Sequence, residues 1–144
     1  MRISDVIGTK ASKDVITIAP DATVRELLSL LAEHNVGALI VSADGSSVDG
    51  IVSERDVVRR IVDSDDVLDG AVSAIMTADV QTADPDSSLD ELRVVMTERR
   101  IRHVPVVVDG RLTGIISIGD VVKAAMQQLE FERDQLDHYV HQER

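Results

Sequence analysis

Short apolar runs alternate along the chain with stretches in which apolar residues recur every three or four positions. An apolar run at 15–18 is followed by a stripe of this spacing over 24–31. Further runs at 38–41 and 50–53 come next, and a second stripe begins at 57–61. Short apolar runs are typical of buried strands, whereas spacings of three and four give a helix one buried face. The pattern predicts the order strand, helix, strand, strand, helix.

The same order of elements occurs twice. Pro85 follows Pro20 by 65 positions, and the Gly-Ile-Ile-Ser at 114–117 follows the Gly-Ile-Val-Ser at 50–53 by 64 positions. A copy of about 60 residues buries little apolar surface alone, so we expect the two copies to pack sheet against sheet. The repeat therefore predicts an α+β fold made of two pseudo-symmetric domains, each with the order β-α-β-β-α.

The repeat also suggests where the domains begin and end. We expect the first domain at 1–66, the second at 67–130 and a C-terminal helix at 131–144. The division falls inside the acidic stretch at 63–69. Short amphipathic segments at 3–7 and 72–76 precede the two copies in the same way.

Local signals mark the ends of several elements. Thr23 and Ser88 stand where helix N-caps are expected, and Glu26 and Glu91 follow three positions later, which is the spacing of a capping box. Asp109-Gly110 predicts a two-residue hairpin turn in the second copy, whereas the first copy has a longer loop at this point.

The C-terminal helix leaves two interpretations open. Apolar Leu129, Leu136 and Val140 fall near heptad spacing, which Arg133 interrupts. Such a stripe is typical of a helix that pairs with a second copy, so the helix is a candidate contact of a homodimer. The alternative is a frayed, solvated tail.

Composition narrows the function classes. The 144 residues carry a net charge of −11 and include no cysteine. The negative field disfavours nucleic acid and anionic membranes as partners, and the lack of cysteine excludes disulfides and cysteine-ligated metals. No apolar run approaches the roughly 18 residues of a membrane span, and the first residues do not resemble a secretory signal. We therefore expect a cytoplasmic protein.

Two heptapeptides and one further phrase carry a family resemblance. The heptapeptides are Gly50-Ile51-Val52-Ser53-Glu54-Arg55-Asp56 and Gly114-Ile115-Ile116-Ser117-Ile118-Gly119-Asp120, and the phrase is Ile101-Arg102-His103-Val104-Pro105-Val106. With the duplication, they resemble the CBS domain family, and specifically a tandem pair or Bateman module. The resemblance covers essentially the whole chain.

The resemblance implies a regulatory module with two clefts between the copies. Such clefts take AMP, ADP, ATP, related dinucleotides such as NAD(H), or S-adenosylmethionine. The ligand is regulatory rather than a required cofactor, and the module modulates a separate partner protein.

The resemblance also assigns the site residues. Asp56 and Asp120 are expected to accept the two ribose hydroxyls, because a fixed carboxylate forms charge-assisted hydrogen bonds with a diol. Ser53 and Ser117 stand at helix starts, where free backbone donors favour phosphate. The phosphate cations are expected to be Arg102 and His103, with Arg55 and Lys13 as further candidates. The adenine would lie between aliphatic walls and meet backbone groups at its edge; these residues are Ile16, Thr17, Ala38, Leu39, Thr82, Val104 and Pro105.

The two clefts are not expected to be equivalent. The first copy has Gly37-Ala38-Leu39-Ile40 where the second has Arg102-His103-Val104-Pro105. The first copy therefore lacks two cationic candidates, and the clefts are expected to prefer different ligands.

Ser-x-x-Asp before an apolar run is also a helix-capping pattern that needs no ligand. The alternative function is accordingly a dimerisation or interaction module whose clefts are vestigial. A serine nucleophile would need a base with an orienting partner, and we see no such set. His138 and His141 share a helix face but lack a third metal ligand nearby. We expect neither catalysis nor a bound metal.

Overall fold

A computed structural model describes residues 1–10 and 15–142. The helices are α1 (Ile3–Thr9), α2 (Val24–His34), α3 (Glu54–Ile61), α4 (Leu89–Arg99) and α5 (Ile118–Gln142). The strands are β1 (Thr17–Ile18), β2 (Ala38–Val41), β3 (Gly50–Ser53), β4 (His103–Val108) and β5 (Arg111–Ser117). Two short 3-10 helices, Asp65–Asp69 and Val72–Ala74, join the two copies. The expected α+β architecture with two small sheets is confirmed.

Each copy builds one small sheet. In the first copy β1 pairs parallel to β2, and β2 pairs antiparallel to β3. In the second copy β4 and β5 form an antiparallel pair. The 65-residue offset of the repeat places the counterpart of the apolar run at 15–18 at 80–83, where a strand is therefore expected. The structure has there one parallel bridge, between Ala83 and Val106, so that part of the prediction is wrong. Gln81 and Ala83 stand where the first copy has Ile16 and Ile18, and they favour a strand less.

Helix and turn signals act largely as the sequence predicts. Thr23 and Ser88 accept hydrogen bonds from the backbone N–H of Glu26 and Glu91, at 3.1 and 3.4 Å. Within the described residues neither glutamate reaches back to its cap, so these are N-caps without the reciprocal half of a capping box. At the hairpin, Asp109 and Gly110 have φ of 51° and 78°, as a type I′ turn requires.

Each hydrophobic core includes a segment from the other side of the boundary expected near residue 66. Ile3 and Val6 of α1 lie in the core of the second copy, whereas Val72 and Ile75 lie in the core of the first. The backbone hydrogen bonds are equivalent: Ile3 donates to Ser87 at 3.1 Å, and Val72 donates to Ala22 at 2.8 Å. The two copies therefore exchange the segments that precede them.

The sheet faces turned away from the two cores are also buried. Leu39 and Val41 of β2 belong to the first core, whereas Ile40 points to the opposite face and is still fully buried. Pro105 occupies the equivalent position on β4 and is buried as well. Because the faces of both sheets that point away from the cores are buried, the two sheets pack against each other through these faces.

The C-terminal helix is continuous with the last helix of the second copy. Helix α5 runs without a break over Ile118–Gln142, and its residues 126–141 are exposed. Glu143 and Arg144 lie outside the described residues. No helix within residues 1–10 and 15–142 is long and apolar enough to cross a membrane.

Candidate functional site

Ser53 and Asp56 hold the junction between β3 and α3. The backbone N–H of Ser53 donates to Oδ2 of Asp56 at 2.8 Å, and the Ser53 hydroxyl donates to the same oxygen at 3.1 Å. The backbone N–H of Asp56 in turn donates to Oγ of Ser53 at 3.4 Å. The reciprocal bonds form a capping box that fixes the carboxylate, which is half-buried.

Ser117 and Asp120 form the equivalent junction between β5 and α5. The backbone N–H of Ser117 donates to Oδ2 of Asp120 at 2.9 Å, and the N–H of Asp120 donates to Oγ of Ser117 at 3.1 Å. Among the described residues, Oδ1 of Asp56 and of Asp120 accepts no hydrogen bond. Each carboxylate therefore keeps one oxygen for another donor, such as a ribose hydroxyl.

Lys10 reaches the second junction from the end of α1. Its ammonium lies 3.0 Å from Oδ2 of Asp120 and donates to the carbonyl of Ile115 at 2.9 Å. Burial alone would raise the pKa of Asp120, but the hydrogen bonds from Ser117 and Lys10 outweigh it and lower that pKa. The carboxylate of Asp120 is therefore held in its charged form.

His103 lies where the two copies meet. A Cβ built on Gly37 would lie 3.7 Å from Oε1 of Glu54 and 3.9 Å from Cε1 of His103, so residues of both copies adjoin there. Burial lowers the pKa of His103, and the nearby charge of Asp120 offsets only part of that effect. The imidazole of His103 therefore stays neutral at lower pH than an ordinary histidine, and at neutral pH it is a hydrogen-bonding group rather than a cation.

The carbonyls of Ile51 and Ile115 are equivalent in the two copies, but they accept hydrogen bonds from different donors. In the first copy the backbone N–H of Thr77 donates to the carbonyl of Ile51 at 2.9 Å. In the second copy the carbonyl of Ile115 receives the ammonium of Lys10 instead. The difference arises because α1 stays helical to Thr9, whereas the corresponding 3-10 helix ends at Ala74 and the chain pairs with β3. Among residues 1–10 and 15–142, the second junction therefore gains a cation in this way and the first does not.

The remaining predicted site residues differ in how far their side chains are exposed to solvent. Leu39 and Val104 are equivalent residues whose side chains lie in the two cores, so only their main chain could meet a ligand. Ala38 and Pro105 are buried, and Ile16 and Thr17 are half-buried. Three polar candidates are exposed: Arg55, Thr82 and Arg102. Lys13 lies outside the described residues.

Sequence reasoning missed Lys10 and Glu54 as neighbours of the site. Lys10 stands outside both repeats and reaches Asp120 only because the copies exchange their preceding segments. Glu54 lies inside the first heptapeptide, but nothing in its spacing indicates that it faces Gly37 and His103. Both depend on contacts between residues that are far apart in sequence.

A separate groove of about 230 Å³ lies between α4 and α5. Its lining combines apolar side chains such as Val121 and Leu129 with Arg93 and Glu132 and includes none of the predicted site residues. It is therefore distinct from the two junctions. Across the described parts of the chain, no group of three histidine or acidic side chains could hold a metal ion.

Comparison with known proteins matches both copies. A family model described as the CBS domain matches residues 3–63 and 72–127. A mitochondrial CBS domain-containing protein of Arabidopsis thaliana is 35% identical over 146 residues, covering 96% of this chain and 71% of that protein.

Solved structures agree with the fold. A CBS-domain containing protein from Agrobacterium tumefaciens is 42% identical, with a TM-score of 0.82 and coverage of 87% of this chain and 99% of that one. The CBS domain pair of protein MJ0100 is 25% identical, with a TM-score of 0.77 and coverage of 89% and 98%. That pair was solved in complex with 5-methylthioadenosine and S-adenosyl-L-methionine.

Proposed function

The chain belongs to the CBS domain family, and we propose that it is a regulatory module that binds an adenosine-containing ligand and thereby modulates a partner protein. The proposed ligands are AMP, ADP, ATP and NAD(H). Two binding sites are proposed, one at each strand–helix junction, with Asp56 and Asp120 as the carboxylates that accept the ribose hydroxyls.

One observation carries the proposal. The two copies hold a carboxylate in the same way, by a backbone N–H of the preceding serine, and leave its second oxygen without a donor among the described residues. A carboxylate fixed in this way loses little conformational entropy on binding a diol, and its hydrogen bonds to the two hydroxyls are charge-assisted. Capping alone does not require that second oxygen.

The complex of the MJ0100 pair supports the ligand class. 5-Methylthioadenosine and S-adenosyl-L-methionine both contain adenosine, and that pair shares its fold with this chain. Both carry sulfur on the 5′ carbon and differ in what that sulfur holds, so adenine with its ribose and both ribose hydroxyls is the part common to both. The phosphorylated ligands proposed for this chain share the same part.

A ligand at the junction of the copies can bias their relative arrangement. It acts only through its differential affinity for the arrangements available, so the regulated partner must distinguish them. We propose that the module acts as a homodimer on a protein partner, without catalysis of its own. Its location in the cytoplasm stays a prediction.

A thermal-shift screen with AMP, ADP, ATP, NAD(H) and S-adenosylmethionine tests the proposal. A ligand at a hundred times its Kd stabilises the folded chain by about 2.7 kcal/mol per site, which raises Tm by several degrees. Asp56→Asn and Asp120→Asn should each remove part of this shift, and the double variant should remove it all. Exposed Asp90→Asn is the matched control and should leave the shift unchanged. A wild-type chain that shifts with none of the five ligands contradicts the proposal.

A second candidate function is an interaction module that needs no ligand. The observation that favours it is the row of exposed large apolar residues on α5, which includes Met126, Leu129, Phe131 and Leu136. Exposed apolar residues of this density mark an interaction surface. If this function is the right one, none of the five ligands shifts the Tm of the wild-type chain, whereas deletion of residues 131–144 changes its oligomeric state.

A further inference from the structure

We propose that Lys10 sets the ligand specificity of the Asp120 junction, by favouring an adenosine ligand with a negatively charged phosphate over an uncharged one. The inference rests on the proposed function, since it takes Asp120 to be a carboxylate that holds a ribose. It adds a specificity-determining residue that neither repeat contains.

The ion pair between Lys10 and Asp120 is largely withdrawn from water. The two side chains are 25% and 21% exposed, and their charged atoms lie 3.0 Å apart. The Lys10 ammonium also donates to the carbonyl of Ile115, so two of its hydrogen bonds are made to this junction. An ammonium in such surroundings is destabilised when it loses its counter-charge, because water replaces the lost partner only in part.

A ribose that approaches Asp120 must share the carboxylate with Lys10. A ribose hydroxyl that donates to Oδ1 of Asp120 would reduce the negative charge on Oδ2 and so weaken the ion pair, and a ligand without charge supplies no new counter-charge to the ammonium. A ligand with a phosphate supplies a new counter-charge, and the flexible four-carbon stem of lysine allows the ammonium to turn toward it. The cost of binding is therefore lower for the phosphorylated ligand.

The surroundings of Lys10 reinforce this preference. Arg102 is exposed, and its carbonyl accepts a hydrogen bond from the backbone N–H of Ile118 at the start of α5, at 2.8 Å, so a second positively charged residue adjoins this junction. Burial lowers the pKa of His103, so its imidazole adds less positive charge than an ordinary histidine would. The nearby negative groups are Asp120 itself, which is occupied by Lys10 and Ser117, and Glu54 from the first copy. Lys10 is paired with Asp120, whereas no ion pair of Arg102 occurs among the described residues, so Arg102 keeps its positive charge for a phosphate.

The first junction has no equivalent of this ion pair within the part of the chain that the structure describes. There the backbone N–H of Thr77 takes the place of the Lys10 ammonium, and a backbone amide carries no net charge. No ion pair involves Asp56 in the described parts of the chain. The Asp56 junction should accordingly bind charged and uncharged adenosine ligands with more similar affinity.

Calorimetric titration of AMP and of adenosine tests the inference. The measurements use Asp56→Asn chains, in which only the Asp120 junction keeps its carboxylate; the substituted amide retains an oxygen that can accept from Ser53. In this background AMP should bind at least about tenfold more tightly than adenosine, which is the preference expected from one hydrogen bond to a charged group. Lys10→Met should lower the ratio of the two affinities several-fold, mainly by tighter binding of adenosine, and the preference that remains is attributed to Arg102.

Two further variants separate charge from side-chain packing. Lys10→Arg keeps the positive charge and should retain most of the preference for AMP. Lys123→Met removes an exposed lysine from α5 and should leave the ratio unchanged. Circular dichroism checks that each chain is folded. Should Asp56→Asn destabilise the chain too far, the same titrations on chains with Asp56 show the effect at one of two sites.

The outcomes distinguish this inference from the proposed function. If the wild-type chain binds none of the five screened ligands and no adenosine, the proposed function is wrong and this inference is wrong with it; if it binds another phosphorylated ligand but not AMP, that ligand replaces AMP in the titrations. If the chain binds both ligands and Lys10→Met leaves the ratio of their affinities unchanged, the proposed function stands and the role of Lys10 is contradicted.

Discussion

Asp56 and Asp120 occupy equivalent positions at the starts of two helices, but only Asp120 is paired with a cation within the described residues. The difference comes from the exchanged segments, because the segment before the first copy packs on the second copy and the segment before the second copy packs on the first. Lys10, at the end of α1, reaches the second junction, whereas Thr77 forms a β-bridge with Ile51 at the first. The duplicated sequence thus gives two junctions with similar capping bonds, of which the second carries an ion pair.

The capping role of Ser53 is expected to stabilise the chain without any ligand. Ser53→Ala removes the acceptor for the backbone N–H of Asp56 and should lower the free energy of unfolding by about 0.5–2 kcal/mol. Urea denaturation of the ligand-free protein measures the change. Arg59→Ala alters an exposed residue of α3 and should stay within about 0.5 kcal/mol of wild type. A Ser53→Ala chain as stable as wild type would show that the cap contributes nothing.

The glycines of the two heptapeptides should differ in their tolerance of a methyl group. A Cβ at Gly50 would lie 2.8 Å from the carbonyl oxygen of Thr77, so Gly50→Ala should destabilise the chain by about 1–3 kcal/mol. A Cβ at Gly114 would lie 2.8 Å from Cδ1 of Ile7, the far end of a flexible side chain, so Gly114→Ala should cost less.

Gly8 of α1 provides the control for both glycine variants. A Cβ there would have open space around it, and alanine favours a helix over glycine by about 0.5–1 kcal/mol. Gly8→Ala should therefore leave the chain at least as stable as wild type. Urea denaturation gives the order of the three variants, and equal losses for Gly50→Ala and Gly114→Ala would contradict the explanation from close packing.

His103 should make stability depend on pH below neutrality. Burial lowers its pKa in the folded state, against an ordinary value of 6.5, and Asp120 and Glu54 offset only part of this while Arg102 and Lys10 add to it. The unfolded chain therefore binds the proton more readily than the folded chain. The stability that His103 contributes is present above pH 6.5 and is lost as the pH falls from 6.5 through the folded pKa.

Replacement of His103 removes this dependence. The unfolding free energy of His103→Gln should change less than that of wild type between about pH 7.5 and about pH 5. Urea denaturation at several pH values provides the comparison, and His34→Gln, at an exposed position near the end of α2, serves as control. If wild type and His103→Gln lose stability equally over this range, the folded protein does not resist protonation of His103.

The exposed part of α5 is expected to hold the homodimer together. Leu136 is 65% exposed, and its replacement by glutamate would place a charge in the contact between two copies. Leu136→Glu should shift the protein from dimer to monomer in analytical ultracentrifugation, with its helix content unchanged. The neighbouring Gln135→Glu adds the same charge on another face and should remain dimeric. A Leu136→Glu chain that stays dimeric contradicts a contact through this part of α5.

Local sequence patterns predict most of the elements and their ends. The strand at Ala38–Val41 has the expected bounds, because a run of four apolar residues between turns indicates its own limits. The hairpin at Asp109 and Gly110 follows from the need for positive φ at both positions. Both signals depend only on neighbours along the chain, so they can be recognised without the tertiary structure.

Contacts between distant segments could not be predicted in this way. The sequence shows that 3–7 and 72–76 are amphipathic, but not that each packs on the other copy, because both cores are aliphatic and would accept either segment. The role proposed for Lys10 depends on this exchange. The capping bonds at Ser53 and Ser117 follow from local spacing, and they engage only one oxygen of each carboxylate. Capping and the proposed ligand binding are therefore compatible at the same residues.

The central claim is that two fixed carboxylates hold an adenosine ligand, and calorimetric titration of AMP into the wild-type chain and the Asp56→Asn, Asp120→Asn double variant tests it most directly. The account predicts that AMP binds the wild-type chain with measurable heat and that the folded double variant gives none. Binding of AMP with equal affinity to both proteins, or binding of none of the five screened ligands by the wild-type chain, would contradict it.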